Sequence, residues 1–304
     1  MKFVSTFRSC SLRRVLAGVA ALVFTIAWAP RPAKAQGNAL KLAVSPLRAE
    51  FALQPGAAYT DSAHVTNDGL APVRLEATVN DWTLAADGSP IFLDAGAAAP
   101  DEFACAAWIH VSPENFELAP GQMQRVRYTI QVPAGTRPLG CRAALLFTSA
   151  PPTQRAEGKQ VLTVARLASI IYIRVGNPEA LGTVTNLALA PRPRAASDAT
   201  GEPALEIALG IRNQGRTYFR AEGQIQLLDA TGKTLAQLPL DSQIVLPASQ
   251  RIFAFPIAAT LGPGTYELRA TINMGEPTLL QVRKTVVIGA APPAATMARL
   301  GHAQ

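Results

Sequence analysis

Apolar and polar residues alternate with a period of two along much of this chain, and a helical period is nearly absent. In the segment RVRYTIQV, residues 125–132, the apolar row consists of Val126, Tyr128, Ile130 and Val132, and Arg, Thr and Gln fill the positions between them. This alternation predicts strands with one buried and one solvent-exposed face, as in antiparallel sheets. Because turns containing Pro and Gly separate short strands, we expect an all-β protein made of β-sandwiches.

The second half of the chain repeats the order of patterns found in the first half. The strand pattern before the turn Asn67-Asp68-Gly69 has a counterpart before Asn213-Gln214-Gly215, and LAPGQMQRVRYTI (118–130) has one in LPASQRIFAFPI (246–257). We therefore expect two related sandwiches, at residues 36–176 and 177–289, with the boundary at the Gly-Asn-Pro of 176–178. Residues 290–304 lack such a pattern and are predicted to form a disordered tail.

One predicted strand differs from the others because both of its rows are largely apolar. It is VLTVARLASIIYIRV, residues 161–175, which is rich in β-branched side chains. An exposed edge strand of this composition would tend to pair with another chain, and proteins usually avoid such edges. We therefore expect this strand to be covered or to have a binding role. The polar segment before it, PPTQRAEGKQ, reads as a flexible connection.

The N-terminal residues have the layout of a secretory signal peptide. Four basic residues precede an apolar run at 15–29, and small residues follow up to Ala35. We expect cleavage after Ala35 and export of the remaining chain. The alternative is a membrane anchor, which is disfavoured because the run is shorter than the roughly 20 apolar residues needed to cross a bilayer.

Removal of this segment changes the charge of the protein. The full chain has a net charge of +7, but residues 1–35 hold six of its 28 basic residues and none of its 21 acidic residues. The exported chain would therefore be nearly neutral, at about +1. No basic face with interleaved aromatic residues is evident, and we expect no binding to nucleic acid.

The chain offers little for catalysis. Its histidines are His64, His110 and His302, and none belongs to a recognised catalytic or phosphate-binding motif. The scattered histidines and two remaining cysteines do not form a zinc-binding pattern. We therefore expect no enzyme activity, no metal, no cofactor and no small-molecule substrate.

Cys105 and Cys141 are the two cysteines that remain after export. An oxidising compartment favours a disulfide between them. The alternative is a pair of buried free thiols. Cys141 shares its parity with Ala143, Leu145 and Phe147, a row that we expect to face the core.

Several short segments occur in an order that is characteristic of one family. They are VSPLRAEFAL (44–53), the turn at 67–69, NDW (80–82), SPENFELAPGQMQRVR (112–127) and the long strand at 161–175. This order, over about 140 residues, resembles the N-terminal domain of the PapD-like periplasmic chaperones of pilus and fimbrial assembly.

The resemblance implies two tandem immunoglobulin-like β-sandwich domains and a periplasmic location. It also implies that the partners are a pilus or fimbrial subunit protein, which lacks its final strand, and an outer-membrane usher. The chaperone lends the last strand of its first domain to the subunit and delivers the subunit for assembly.

The resemblance also assigns roles to particular residues. Arg48 would bind the C-terminal carboxylate of the subunit, which suits the charged fork of a guanidinium. A lysine that the family carries in the long strand has no match, since Ile171 stands at or near its position and the nearest basic residues are Arg166 and Arg174. The donated row would comprise Leu162, Val164, Arg166, Ala168 and Ile170.

The sequence also fits a second interpretation. The same fold would suit a non-catalytic, secreted or cell-surface immunoglobulin-like module with a structural or adhesive role. That module would have no pilus subunit as its partner.

Overall fold

The computed structural model describes residues 40–85, 87–97, 99–151, 164–192, 205–258, 261–275 and 279–289. These residues form two tandem immunoglobulin-like β-sandwiches, which confirms the predicted fold class. In the described part of the chain, no helix is long and apolar enough to cross a membrane. The predicted signal peptide at 1–35 and the predicted tail at 290–304 lie outside the described residues.

In the described residues, the first sandwich has eleven strands and one short 3-10 helix, Ala106–Trp108. The strands are β1 (Leu42–Ser45), β2 (Arg48–Leu53), β3 (Ala58–Asn67), β4 (Val73–Asn80), β5 (Trp82–Leu84), β6 (Pro90–Phe92), β7 (Ile109–Ser112), β8 (Asn115–Leu118), β9 (Met123–Gln131), β10 (Leu139–Ser149) and β11 (Arg166–Val175). One sheet has the order β1-β3-β9-β7 and the other β2-β11-β10-β4-β8, while β5 and β6 form a separate hairpin.

The second sandwich contains the remaining strands. They are β12 (Gly182–Pro191), β13 (Leu205–Asn213), β14 (Phe219–Asp229), β15 (Thr234–Val245), β16 (Gln250–Pro256), β17 (Gly264–Asn273) and β18 (Leu280–Ile288). One sheet has the order β12-β13-β16 and the other β15-β14-β17-β18. The strand before the turn at Asn213 contributes Ile207, Leu209 and Ile211 to the core of this sandwich, each with 0% exposure.

The alternation of β9 is confirmed in the first core. Val126, Tyr128 and Ile130 are buried between the two sheets, whereas Arg125 and Arg127 are exposed. Each apolar side chain removed from water on this face contributes roughly 1.5 to 3 kcal/mol to folding, before the entropy of ordering is subtracted.

The first extended segment of the chain crosses from one sheet to the other. β1 pairs antiparallel with β3, whereas β2 pairs in parallel with β11. The crossing occurs at residues 46–47, between the two strands. β2 therefore forms the edge of its sheet and covers part of β11.

A buried asparagine, Asn67, closes one corner of the first sandwich at the end of β3. Its side-chain amide donates to the carbonyl oxygens of Ala71 at 2.8 Å and Leu118 at 3.0 Å. Its side-chain oxygen accepts the N–H of Gly69 at 2.9 Å. One side chain thus holds the turn and ties it to β8, a strand of the opposite sheet.

Asn213 makes the same set of hydrogen bonds in the second sandwich. Its amide donates to Thr217 O at 2.8 Å and Val245 O at 3.1 Å, and its oxygen accepts the N–H of Gly215 at 2.9 Å. The two turns that the sequence comparison aligned are therefore equivalent in detail.

The connection from β6 to β7 is fastened to β10 by a disulfide and by an ion pair. Cys105 and Cys141 are bonded, with their Cα atoms 5.9 Å apart. The neighbouring guanidinium of Arg142 is buried and binds the Asp101 carboxylate, with an NH2 to Oδ2 distance of 2.8 Å. Its Nε donates to Trp82 O at 2.7 Å. The charge of Arg142 is thus paired and hydrogen-bonded, as a buried charge must be.

Replacement of either corner asparagine should destabilise the protein. In Asn67→Asp and in Asn213→Asp, the new side chain cannot donate to two buried carbonyl oxygens and carries a charge into a buried position. We expect each change to lower the free energy of unfolding by about 2 to 4 kcal/mol at neutral pH. Urea unfolding followed by circular dichroism measures the effect. The exposed Asn186→Asp is the control, and equal midpoints for all three variants would contradict the assigned role.

Candidate functional site at the last strand of the first sandwich

The strand predicted to be apolar on both sides, β11, packs against an apolar cluster on each of its faces. One row faces the core between the sheets, and its members Ile171, Ile173 and Val175 have 0% exposure. The other row includes Ala168, Ile170 and Tyr172, which pack into a second apolar cluster. The composition of β11 therefore has a cause within the protein itself.

That second cluster, here named the interface cluster, joins the two sandwiches. Its buried members are Trp82, Ala144, Leu146, Tyr172, Tyr218 and Leu246, of which Tyr218 and Leu246 come from the second sandwich. The Tyr172 and Tyr218 rings lie 4.6 Å apart between centroids, and Trp82 meets Tyr172 edge-on at 5.9 Å.

Polar contacts fasten the same two sandwiches beside the interface cluster. The N–H of Gly140 donates to Arg216 O at 2.7 Å, and the Arg216 guanidinium pairs with Glu102 at 3.0 Å. A side chain at Gly140 would collide with Thr217, so only glycine allows this approach. The β5–β6 hairpin also touches the second sandwich, because Gly88 lies against the Arg251 guanidinium.

The edge of β11 is covered along only part of its length. β2 pairs with it from Ile170 to Val175, and β10 pairs along its other side from Arg166 onward. Among the described residues, no strand pairs with Arg166–Ser169 on the β2 side. The backbone at the start of β11 therefore offers a free edge.

The residues predicted for the donated row fall into three environments. Leu162 lies outside the described residues. Val164 is 50% exposed just before β11, and Arg166 is exposed at its first position. Ala168 and Ile170 are half-buried against the interface cluster. Only the first part of the row therefore faces solvent.

Val164 also borders a surface cleft of about 630 Å³ between the ends of β4, β8 and β10. Phe116 and Pro151 contribute apolar surface to this cleft, and Arg74 and Glu117 form an ion pair at its rim. An apolar side chain placed beside Val164 could extend into this space.

Arg48 lies at the point where the free edge of β11 ends. It is the first residue of β2 and stands opposite Ile170 in the strand register. Its Nε lies 3.1 Å from Oε1 of Glu50, and its side chain is 53% exposed. Arg48 is therefore on the surface.

Arginines from both sandwiches meet at Glu50. The NH2 group of Arg220, on β14, lies 2.9 Å from the same Glu50 oxygen that Arg48 contacts. The Arg220 guanidinium also lies over the Tyr172 ring, at 5.9 Å from its centroid. Arg174 lies over the Tyr218 ring at 5.7 Å. We name Arg48, Arg174, Arg220 and Glu50 the arginine cluster, and its formal charge is about +2 at neutral pH.

The sequence comparison found no match in the long strand for a lysine of the PapD-like family, and the structure shows which side chains stand near that position. Ile171, the residue at or near that position in the sequence comparison, points into the core with 0% exposure. Ile170 is the residue next to Arg48. The second cation near Arg48 is Arg220, which the sequence did not predict because it lies 172 positions further along the chain and in the other sandwich.

The described residues hold no group of three or more His, Cys, Asp or Glu side chains that could bind a metal ion. The site therefore consists of backbone edge, apolar surface and guanidinium groups. These can bind an extended peptide and a carboxylate.

No protein-family model matches the chain, and no curated protein matches it. Among solved structures, it is similar to a chain of a chaperone–tip adhesin complex of CFA/I fimbriae, at 11% identity and a TM-score of 0.43, covering 81% of this chain and 98% of that chain. It is also similar to the YadV chaperone, at 10% identity and a TM-score of 0.43, covering 81% and 99%.

A third similar structure is the CupB2 chaperone of Pseudomonas aeruginosa, at 12% identity and a TM-score of 0.38, covering 81% and 100%. Identities and TM-scores as low as these assign no function. The proposed function therefore rests on the residues of this chain.

The interface cluster should make stability fall at alkaline pH. Burial raises the pKa of Tyr172 and of Tyr218 to about 12, against about 10 in an unfolded chain. The folded state therefore disfavours the phenolate form. The contribution of the two buried tyrosines to the free energy of unfolding is fully present below about pH 10 and is lost as the pH rises towards 12. Urea midpoints should fall less steeply over this range in the double variant Tyr172→Phe, Tyr218→Phe than in the parent. Parallel pH profiles would contradict this assignment.

Proposed function

We propose that this protein is a periplasmic chaperone that binds pilus or fimbrial subunits by donor-strand complementation. In this proposal β11 lends its free edge to a subunit that lacks a strand, and the subunit is then delivered to an outer-membrane usher. The observation that carries the proposal is the free edge of β11, with Val164 exposed at one end and Arg48 at the other.

The free edge suits an added strand of limited length. Unpaired backbone groups on a sheet edge form hydrogen bonds with an incoming strand, and alternate side chains fix its register. The incoming strand would have to stop before Ser169, because Pro46 O accepts the Ser169 hydroxyl at 2.7 Å and Leu47 O accepts the Ile170 N–H at 2.9 Å. The start of β2 thus limits how far the strand can run.

The position of Arg48 favours a particular direction for the incoming strand. From Arg166 to Ser169 the free edge extends about 10 Å, at ~3.3 Å per residue. A strand that runs parallel to β11 would have its C-terminal end where β2 begins, beside Arg48. A guanidinium binds a terminal carboxylate with charge-assisted hydrogen bonds, so Arg48 would hold the end of the subunit chain.

The first test changes the exposed side of the donor strand. We expect Leu162→Glu combined with Val164→Glu to abolish subunit binding, since charges would face the apolar groove of the subunit. Val164 is half-exposed, so the free protein should still fold. Val287→Glu, at an exposed valine of β18, is the control. Partners that co-purify from the periplasm are identified by mass spectrometry, and circular dichroism checks folding.

Arg48→Gln tests the carboxylate anchor by a separate route. Binding should weaken by tenfold or more, because a charge-assisted hydrogen bond contributes about 1.5 to 3 kcal/mol. Arg269→Gln removes an arginine from a similar same-strand ion pair, Glu267–Arg269, and should have no effect. If the strand and anchor variants fold and still retain the same partners, the chaperone proposal is wrong. A cell-surface immunoglobulin-like module would then be the better interpretation.

A further inference from the structure

We propose that Glu50 is an internal competitor that occupies Arg48 and Arg220 until a partner's carboxylate replaces it. This inference rests on the proposed function and concerns the regulation of the same site. A single oxygen, Oε1 of Glu50, lies 3.1 Å from Arg48 Nε and 2.9 Å from Arg220 NH2. A carboxylate of this chain thus already binds the arginines that would receive a carboxylate of the partner.

The strand register explains why Glu50 reaches both arginines. Arg48 and Glu50 are two residues apart on β2, so their side chains lie on the same face. On the adjacent strand Tyr172 stands opposite Glu50, and the Arg220 guanidinium packs over its ring. Arg220 is therefore held in place from the second sandwich, with a side chain only 26% exposed.

The exposure of Glu50 makes it a replaceable ligand. Its side chain is 40% exposed and that of Arg48 is 53% exposed, so water screens their attraction. Ion pairs at such exposed sites are weak. An incoming carboxylate that is attached to a pairing strand gains backbone hydrogen bonds as well, whereas a free carboxylate does not. Glu50 would therefore select against small carboxylates and in favour of chain termini.

Arg174 is a second arginine to which an incoming carboxylate could bind, and the test distinguishes binding there from replacement of Glu50. It lies over the Tyr218 ring, and in the described part of the chain no carboxylate lies within ion-pair distance of it. If an incoming carboxylate bound to Arg174 and left Glu50 in place, removal of the Glu50 charge would not release a competitor.

Acetate is a suitable probe because it is a carboxylate without a strand. We would titrate acetate into 15N-labelled protein and follow the arginine Nε–Hε signals, with acetamide as the uncharged control ligand. Glu50→Gln should bind acetate about three- to tenfold more tightly than the parent, as expected when the two weak ion pairs of Glu50 no longer compete. The signals of Arg48 and Arg220 should shift together.

The matched control is Glu267→Gln. Glu267 pairs with Arg269 at 2.8 Å on the same strand, two residues away, and is 36% exposed. This variant should bind acetate as the parent does. A second variant, Glu50→Asp, keeps the charge and shortens the side chain by one methylene, so its affinity for acetate should lie between those of the parent and Glu50→Gln.

Unchanged or weaker acetate binding in Glu50→Gln would overturn the proposal, as would a shift of the Arg174 signal alone. Thermal melting shows whether each variant is folded, and Glu50→Asp supplies the answer if Glu50→Gln is not. The titration needs no partner protein. The competitor role can therefore fail while the co-purification test succeeds, and a failure of co-purification leaves the acetate result intact.

Discussion

Burial of both faces of β10 and β11 is the constraint on which the rest of this structure depends. One face of each strand fills the core of the first sandwich, and the other face meets Trp82, Tyr218 and Leu246 in the interface cluster. Because an apolar face must be covered, the second sandwich is needed to complete the first. The contacts of Gly140 and Arg216 then fasten an arrangement that the apolar surfaces already require.

The candidate site lies where β11 is no longer covered by β2 and by the interface cluster. β2 covers the edge of β11 only from Ile170 onward, and the interface cluster covers its outer row only as far as Ala168. What remains is a short stretch with free backbone groups and the exposed Val164. Arg220 reaches Arg48 through Glu50 because the interface places β14 beside β2. The same packing thus supplies the edge and its group of charges.

Much of the fold could be predicted from the sequence, because its signals are local. The alternation of apolar and polar residues along β9 identified the buried row that contains Tyr128. Cys141 lies an even number of positions from Phe147, and this spacing identified its side chain as facing the core. The turns at Asn67 and Asn213 revealed the duplication, and their hydrogen bonds match one for one.

The features of the fold and of the site that the sequence did not predict depend on contacts between distant segments of the chain. Nothing local shows that Arg142 and Leu146, on the row opposite to that of Cys141, are buried. Likewise, no motif surrounds Arg220 to mark it as a neighbour of Arg48. The end of the free edge at Ile170 is set by the pairing of β2, which the sequence pattern does not specify.

The buried guanidinium of Arg142 has a consequence for the folding of the sheet. Side chains alternate between faces, so a slip of β10 by one residue against β11 would exchange its two rows. Both rows are largely apolar, so hydrophobicity alone opposes this exchange only weakly. A slipped strand would carry the charge of Arg142 into the core, away from Asp101 and Trp82 O. A single charged residue thereby selects one strand alignment from several that hydrophobicity alone would accept.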